Sequence, residues 1–255
     1  MEELRFIDLE IHSAFENMAI DESIMMSMRE GLVGPTLRLY RWLPSAVSIG
    51  TFQGMNDEVD VQFCKSHNID VIRRITGGGA VFHDFDGEIT YSIILPKGHR
   101  LAPNDIIESY KILCSGIISG LNKLGIESSF KPINDVIADG KKISGNAQTR
   151  QHSCVLQHGT ILLDLDVNLM FQALKVPVEK ISDKMIADVK QRVTSVREIL
   201  HRSVTIEELQ DALKTGFSDA LEIDLVADCL TDEEQEMTNR LLADKYTTRA
   251  WNFKR

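Results

Sequence analysis

Three consecutive glycines, Gly77, Gly78 and Gly79, constrain this chain more than any other feature. They lie between an apolar run at residues 69–72 and an alternating run at residues 89–95, and both runs have the pattern of β-strands. Glycine loses the most conformational entropy on folding, so three in succession indicate a sharp turn or a backbone that closely approaches a ligand. The spacing also leaves open a plain glycine-rich hairpin connection.

Two arginines, Arg73 and Arg74, stand immediately before the glycine loop. Bare backbone amides can bind an anion, and guanidinium groups bind phosphate or carboxylate through paired hydrogen bonds. The stretch is not a P-loop, because no Gly-Lys-Ser/Thr follows, and it is not a dinucleotide fingerprint, because a strand rather than a helix comes next. We therefore predict a cradle for phosphate or carboxylate at residues 73–84.

A second group of polar residues surrounds Lys142. Strands are predicted at residues 135–138 and 142–145, joined by a hairpin turn at Asp139 and Gly140. The Lys142 ammonium would stand at the edge of a sheet beside small residues, where it could stabilise charge on a phosphate or an attacking carboxylate. Asp135 could hold Mg²⁺ through its carboxylate. A solvated lysine and a local capping aspartate are the alternatives.

The histidines and cysteines give weaker signals. His83 follows the glycine loop and His158 precedes Gly159, and we interpret both as hydrogen-bonding scaffold rather than as acid–base groups. No two histidines have metal-ligand spacing. The cysteines are far apart and form no redox pair, and Cys114 and Cys154 are interpreted as packed thiols.

Composition narrows the class of protein. The chain has 255 residues, of which 43% are hydrophobic and 26% charged, as in ordinary soluble proteins. Its formal net charge of −10 argues against nonspecific nucleic-acid binding, which needs a basic face. We find no signal peptide, no membrane span and no disulfide pattern, and predict a cytoplasmic protein without nucleic-acid or membrane partners.

The pattern along the chain predicts one α/β domain over residues 1–255, with a sheet-rich core at residues 1–165 and a mainly helical portion at residues 166–255. The first helix is expected at residues 14–29, with Ser13 and Glu16 forming a capping box. A lysine-rich stretch at residues 175–197 has ends that the pattern does not fix.

Four motifs in this order resemble the lipoate-protein ligase A family, within the biotin/lipoate ligase and octanoyltransferase superfamily. They lie at residues 73–84, 134–136, 142–147 and 158–163, and residues 17–22 and 192–196 are also similar to that family. The resemblance covers most of the chain. It implies a mixed β-sheet flanked by helices, of the catalytic-domain type found in these ligases.

The resemblance also implies a two-step, ATP-dependent reaction. Lipoate would attack Mg-ATP to give lipoyl-AMP, and the lipoyl group would pass to a lysine on an acceptor lipoyl domain, such as a 2-oxoacid dehydrogenase E2 or a glycine cleavage H-type protein. Lys142 would be the catalytic residue, stabilising charge in both steps, and Asp135 would lie near Mg²⁺. The stretch at residues 175–197 would correspond to a loop that covers the adenylate.

The same resemblance implies which residues bind ATP and lipoyl-AMP. They are Arg73, Gly77, Gly78, Gly79, Ala80, Val81, Phe82, His83, Lys142, Ser144, Gly145, Asn146, Ala147, His158, Gly159 and Thr160.

Two departures from the family leave an alternative open. The accessory domain of many bacterial ligases is absent, so a separate accessory subunit would complete activation, or the protein does not activate lipoate. The short ending and residues 148–151 look like octanoyltransferases, which pass an octanoyl or lipoyl group from a carrier protein or lipoyl domain through a cysteine thioester. No cysteine occurs in the matching regions, residues 128–133 and 166–180. We therefore expect the ATP-dependent ligase, with the transferase as the alternative.

Overall fold

The computed structural model describes residues 1–175 and 191–254, and strands from both parts form one large mixed sheet and one small sheet. The strands are β1 (Glu2–His12), β2 (Thr36–Trp42), β3 (Ala46–Ile49), β4 (Asp70–Arg73), β5 (Val81–His83), β6 (Glu88–Pro96), β7 (Ser128–Lys131), β8 (Asp135–Ala138), β9 (Lys141–Gln151), β10 (Cys154–Leu162) and β11 (Ile223–Asp228).

Helices cover both faces of the large sheet. They are α1 (Ala14–Arg29), α2 (Met55–Glu58), α3 (Val61–Ser66), α4 (Ile106–Lys123), α5 (Val167–Ala173), α6 (Val196–Leu200), α7 (Ile206–Leu221), α8 (Asp232–Leu241) and α9 (Arg249–Asn252), with a π-helical turn at Leu242–Tyr246. The predicted fold class, a mixed sheet flanked by helices, is confirmed. No helix among the described residues is long and apolar enough to cross a membrane.

The large sheet runs in the order β11-β1-β2-β6-β10-β9-β8-β7. Strand β1 is parallel to both of its neighbours, β11 and β2, and the pairs from β2/β6 onward are antiparallel. Strand β11 comes from the portion predicted to be mainly helical, yet it pairs with β1 at the edge of the same sheet. Its residues alternate weakly in polarity, which is why the pattern gave no strand there.

Alternation along β2 sends its side chains into two different cores. Leu37 and Leu39 pack on one face of the sheet with α4 and α7, and Tyr40 and Trp42 pack on the other face with α1. On the first side the helices α4 and α7 come very close, since a Cβ added at Gly116 would lie 2.2 Å from the ring of Phe217.

The small sheet, in the order β4-β3-β5, holds the glycine loop. This loop leaves β4 at Arg73 and enters β5 at Val81, but β4 and β5 both pair with β3 and not with each other. The plain hairpin is therefore excluded, and the loop crosses over the end of β3. There the backbone is tight, because a Cβ at Gly50 would lie 2.1 Å from the carbonyl oxygen of Gly78.

Helix α1 begins as its sequence predicts. Ser13 accepts a hydrogen bond from the amide of Glu16, and the Glu16 carboxylate accepts one from the amide of Ser13. Because most of this helix is buried, its polar residues Asn17 and Asp21 face the interior rather than water. Of the stretch at residues 175–197, residues 176–190 lie outside the described part of the chain, and so does its predicted covering role.

Candidate active site

A cavity of about 340 Å³ brings the glycine loop and Lys142 together. Its walls come from both sheets and from α1 and α5. A volume of this size is typical of small-molecule sites. Thirteen of the sixteen residues predicted to bind the ligand line it: Gly78, Gly79, Ala80, Val81, Phe82, His83, Lys142, Gly145, Asn146, Ala147, His158, Gly159 and Thr160.

Three predicted residues do not line this cavity. Ser144 lies on β9 between residues that line the cavity but is itself not among them, and its hydroxyl is buried. Gly77 lines a neighbouring cavity with Thr51 and Phe52. The third, Arg73, is buried at the end of β4.

The side chain of Arg73 binds backbone carbonyl groups of the chain itself. Its guanidinium donates to carbonyl oxygens of Gly50, Thr51 and Gln53 on one side, and of Trp251, Asn252 and Lys254 on the other. These bonds occupy the donors that were expected to hold phosphate. The structure thus corrects the predicted role of Arg73.

Arg74 belongs to the cradle predicted at residues 73–84, although the resemblance did not include it among the binding residues, and it lines the cavity. It donates to the carbonyl oxygens of Gly77 at 2.8 Å and Gly79 at 2.7 Å, and so fixes the path of the glycine loop. Burial lowers the pKa of Arg74 to about 10, which leaves it charged at neutral pH.

Both apolar and polar side chains line the cavity. Residues that sequence reasoning missed supply most of the apolar wall: Met18, Tyr40, Trp42, Leu162, Leu165, Met170 and Leu174. For Tyr40 and Trp42 a signal existed, because they alternate with Leu37 and Leu39 along β2 and so face the opposite side. The apolar wall suits a hydrocarbon chain.

Lys142 lines the cavity from β9. Its ammonium nitrogen Nζ is 2.7 Å from Oδ1 of Asp135 on the neighbouring strand β8, and both side chains are partly exposed. The space above Gly145 accommodates the lysine, since a Cβ there would lie 2.6 Å from Lys142 Cε and Nζ. The Asp139-Gly140 turn joins β8 and β9 as predicted, but β9 is an inner strand of the sheet, so the amine is not at a sheet edge, and the catalytic role of Lys142 stays a prediction.

Gly159 on β10 also leaves space for a neighbouring side chain, because it has no Cβ. A Cβ there would lie 2.1 Å from Oδ1 of Asn146, which accepts a hydrogen bond from the Tyr91 hydroxyl at 2.8 Å. The Asn146 amide in turn donates to the carbonyl oxygen of Asn134 at 2.9 Å. Gly159 thus leaves room for a side chain that ties β9 to the segment before β8.

His158 belongs to a buried polar network beneath the cavity. Its Nε2 lies 2.8 Å from Oγ1 of Thr76, and its Nδ1 lies 3.4 Å from Oδ2 of Asp21. Burial lowers the pKa of His158 against the opposing effect of the Asp21 carboxylate, so the imidazole is neutral at pH 7. This geometry agrees with the interpretation of His158 as scaffold.

Asp21 is fully buried, yet it remains a carboxylate. Burial alone would raise the pKa of Asp21, but the hydrogen bond with His158 and the charge of Arg38 hold that pKa below its usual range. Arg38 donates to Asp21 at 3.2 Å, and the Ser92 hydroxyl donates at 2.7 Å. The helix motif at residues 17–22 therefore supports the floor of the site.

The Asp135 carboxylate, which was predicted to hold Mg²⁺, is paired with Lys142. Its Oδ1 faces the Lys142 ammonium, and within residues 1–175 and 191–254 no group of three His, Cys, Asp or Glu side chains converges as metal ligands would. The prediction of Mg²⁺ at Asp135 is thus without support in the geometry.

None of the four cysteines lines the cavity. Burial raises the pKa of Cys64 to about 11 and that of Cys114 to about 12, and it also raises the pKa of Cys154. The Cys154 thiol packs against α1 and lies 3.6 Å from the carbonyl oxygen of Met25. Cys229 is exposed elsewhere. The packed-thiol interpretation of Cys114 and Cys154 agrees with these positions.

Comparison with known proteins identifies the family. The sequence model of the lipoyl protein ligase A/B catalytic domain matches residues 13–218. The chain belongs to this family. Its members therefore share the fold described above, and the resemblance drawn from the four motifs is confirmed.

Solved structures of the family resemble the chain closely. One is a bi-partite lipoate protein ligase from Thermoplasma acidophilum, described with its E2 lipoyl domain, at 32% identity and a TM-score of 0.87, covering 99% of this chain and 96% of that one. Another is a lipoate-protein ligase A bound with ATP, at 30% identity and a TM-score of 0.83, covering 99% of both chains.

The curated relatives differ in activity from these structures. The octanoyltransferase LipM of Brevibacillus brevis is 35% identical over the full length of both chains. Further octanoyltransferases of the same name, from Geobacillus kaustophilus and Bacillus subtilis, are 37% and 33% identical over 98% of both chains.

These relatives correct the main functional prediction. The expected ATP-dependent lipoate ligase is wrong, and the alternative, an acyltransferase of the same superfamily, fits the relatives better. The geometry agrees, because the guanidinium of Arg73 and the carboxylate of Asp135, which were expected to hold the nucleotide and its metal ion, are both paired within the chain.

Proposed function

We propose that this chain is an octanoyltransferase. It takes an octanoyl group from the thioester of an acyl carrier protein and transfers it to the amine of a lysine on a lipoyl domain. The full-length similarity to octanoyltransferases supports the reaction, and the similarity to a lipoate ligase described with its E2 lipoyl domain supports the acceptor class. Acceptors would be a 2-oxoacid dehydrogenase E2 or a glycine cleavage H-type protein.

The observation that carries the proposal is a cavity lined by Lys142 together with a set of apolar side chains. An unbranched acyl chain would lie along Trp42, Leu162 and Met170, with its carbonyl group toward Lys142. Attack on the thioester carbonyl carbon places negative charge on the carbonyl oxygen, and a nearby ammonium stabilises that charge most strongly in a water-poor site.

The Asp135 carboxylate orients this ammonium. A lysine side chain on its own samples many rotamers, and the contact with Asp135 Oδ1 at 2.7 Å holds Nζ over Gly145 before the donor binds. Preorganisation of this kind lowers the reorganisation needed in the transition state.

The test uses the purified full chain, an octanoyl acyl carrier protein and an apo lipoyl domain, without ATP. We expect mass spectrometry to show one octanoyl group on the acceptor lysine. The control reaction replaces the donor with free octanoate. Modification that occurs only when ATP and the free acid are supplied would refute the proposal, and so would the absence of any modification.

A further inference from the structure

A second cavity, of about 330 Å³, lies next to the first along two segments of the chain. On β9, residues 145–147 line the first cavity and residues 148–151 line the second. In the glycine loop, Gly78 lines the first cavity and Gly77 the second. The second cavity is therefore the neighbouring space into which a molecule bound in the first would extend along β9.

The second cavity adjoins a stretch of β9 that has a neighbouring strand on one side only. Strand β8 pairs with β9 within residues 141–145, whereas β10 pairs with residues 144–151. Among the strands of residues 1–175 and 191–254, none pairs with residues 146–151 on the β8 side, which we call the open edge of β9. An unpaired sheet edge binds extended molecules through its backbone hydrogen-bonding groups.

The hydrogen bonds of Asn146 show which backbone groups face the open edge. Its N–H donates to the carbonyl oxygen of Asn134 at 3.1 Å, and its carbonyl oxygen accepts from the Asn134 side-chain amide. The pairing of β9 with β10 runs without a bulge, so the backbone groups of Gln148 and Arg150 face the same way as those of Asn146. The N–H of Gln148 is directed at the Tyr110 hydroxyl. The Gln148 carbonyl and both backbone groups of Arg150 have no backbone partner on this side among the described residues.

Two exposed apolar side chains also line the second cavity. Phe52 is 93% exposed, and Ile106 at the start of α4 is 52% exposed. Large apolar groups exposed together in a cavity indicate a surface that binds another molecule. A ligand for this cavity would therefore carry amide groups for the strand edge and an apolar group for Phe52 and Ile106 on one thin chain.

We propose that the second cavity and the open edge of β9 bind the pantetheine arm of the acyl donor, an inference that rests on the proposed transferase function. Pantetheine is an extended chain that joins a thiol to two successive amides and then to a pantoic group with two methyl substituents. With the acyl group in the first cavity, the amide nearer to sulfur lies opposite Gln148 and the farther amide opposite Arg150. The two methyl groups then contact Phe52 and Ile106.

The length of the open edge favours this arm over a strand of the acceptor lipoyl domain. Since Asn134 already occupies the backbone groups of Asn146, only Gln148 and Arg150 present groups to a ligand. Two residues are enough for two amides but short for a β-strand. The acceptor also needs to insert no more than a lysine side chain, whereas the donor thioester reaches its carrier protein only through the arm.

The experiment compares two small thioesters as donors to an apo lipoyl domain. Octanoyl-pantetheine carries the whole arm, whereas the octanoyl thioester of N-acetylcysteamine keeps the amide nearer to sulfur and lacks the farther amide and the pantoic group. The readout is the ratio of kcat/KM between the two donors. We expect a ratio of about thirty for the unaltered chain, about tenfold from one hydrogen bond and about threefold from apolar contact.

Two pairs of variants locate this preference. Arg150→Pro removes the outward N–H, a change that an edge position of a strand tolerates, and should lower the ratio about tenfold. Arg150→Ala removes the same side chain but keeps the N–H, and should retain the ratio. Phe52→Ala should lower the ratio about threefold, whereas Leu32→Ala, at a 60% exposed residue outside both cavities, should retain it.

The outcomes separate this inference from the proposed function. Equal ratios in the two Arg150 variants, or an unchanged ratio in Phe52→Ala, would overturn the inference alone, and Phe52→Ala decides if Arg150→Pro does not fold. Transfer from octanoyl acyl carrier protein without transfer from octanoyl-pantetheine would overturn it too, as would variants that change only the KM for the lipoyl domain. No transfer from any of the three donors by the unaltered chain would overturn both proposals.

Discussion

The ammonium nitrogen of Lys142 and the carboxylate oxygen Oδ1 of Asp135 lie 2.7 Å apart on neighbouring strands of one hairpin. Of this ion pair, Lys142 lines the cavity, which it shares with many apolar side chains. The partial exposure of the pair makes it a minor source of stability. We therefore expect its effects in the rate of acyl transfer.

Lys142→Ala tests this expectation. Removing the ammonium leaves the oxyanion of the transition state without its charged partner, and we expect the rate of transfer to fall about a hundredfold. Lys131→Ala, an exposed lysine on β7, is the control and should keep full activity. Rates are measured from octanoyl acyl carrier protein to the lipoyl domain, with thermal unfolding to verify the fold. Equal rates for the two variants would contradict the role of Lys142.

Gly145→Ala tests the position of the same amine. An added Cβ would lie 2.6 Å from Lys142 Cε and Nζ, so the lysine side chain must move away from its place over β9. Because the end of this side chain is flexible, we expect a small change in stability and at least about a tenfold loss of activity. Gly34→Ala, where no atom lies within 4 Å of the added Cβ, should change neither.

The buried network of His158 and Asp21 predicts how stability depends on pH. Burial lowers the pKa of folded His158, so between that pKa and the unfolded value of about 6.5 the unfolded chain binds more protons. The free energy of unfolding therefore falls as the pH drops below about 6.5. Despite burial, His158 and Arg38 lower the pKa of Asp21, and its contribution is lost at still lower pH, as the pH falls through that pKa.

Urea unfolding at about pH 7.5 and about pH 5.5 measures the first effect. His158→Gln should make the difference between the two conditions smaller, whereas replacing the exposed His201 with asparagine should leave it unchanged. A His158→Gln protein with the same pH dependence as the unaltered chain would refute this explanation.

Asn252→Ala tests the connection between the C-terminal helix α9 and the glycine loop. The Asn252 side chain accepts from the amide of Arg73 at 2.9 Å and donates to the carbonyl oxygen of Tyr246 at 2.6 Å. Without the Asn252 amide, the backbone N–H of Arg73 and the carbonyl of Tyr246 would lose these hydrogen bonds. We expect a loss of about 2 kcal/mol in the free energy of unfolding. The control Asn122→Ala, at an exposed position of α4, should cost much less.

The sequence predicted the features of the site that residues close together in the chain form. It did not predict the contacts between residues that are far apart in the chain. The strands around the glycine loop and the Asp139-Gly140 turn depend on short patterns of turn residues and alternation. Ser48 and Glu88 meet at His83 only because two sheets adjoin, and no periodicity encodes that meeting.

The sequence did not distinguish the roles of the two adjacent arginines. Arg73 and Arg74 are adjacent, and the sequence alone offered both as anion-binding groups. In the structure Arg73 satisfies carbonyl oxygens, and only Arg74 lines the cavity. Residues far along the chain, such as Trp251 and Lys254, bind the Arg73 guanidinium and so hold it away from the cavity that Arg74 lines.

The guanidinium of Arg73 also has a consequence for biosynthesis. It fastens carbonyl groups near residue 50 to carbonyl groups near residue 252, although about two hundred positions of sequence separate them. During translation, the Arg73 guanidinium cannot complete these contacts while the ribosome still holds residues 251–254. A nascent chain interrupted before that point would contain every motif of the site but lack half of the carbonyl groups that Arg73 binds.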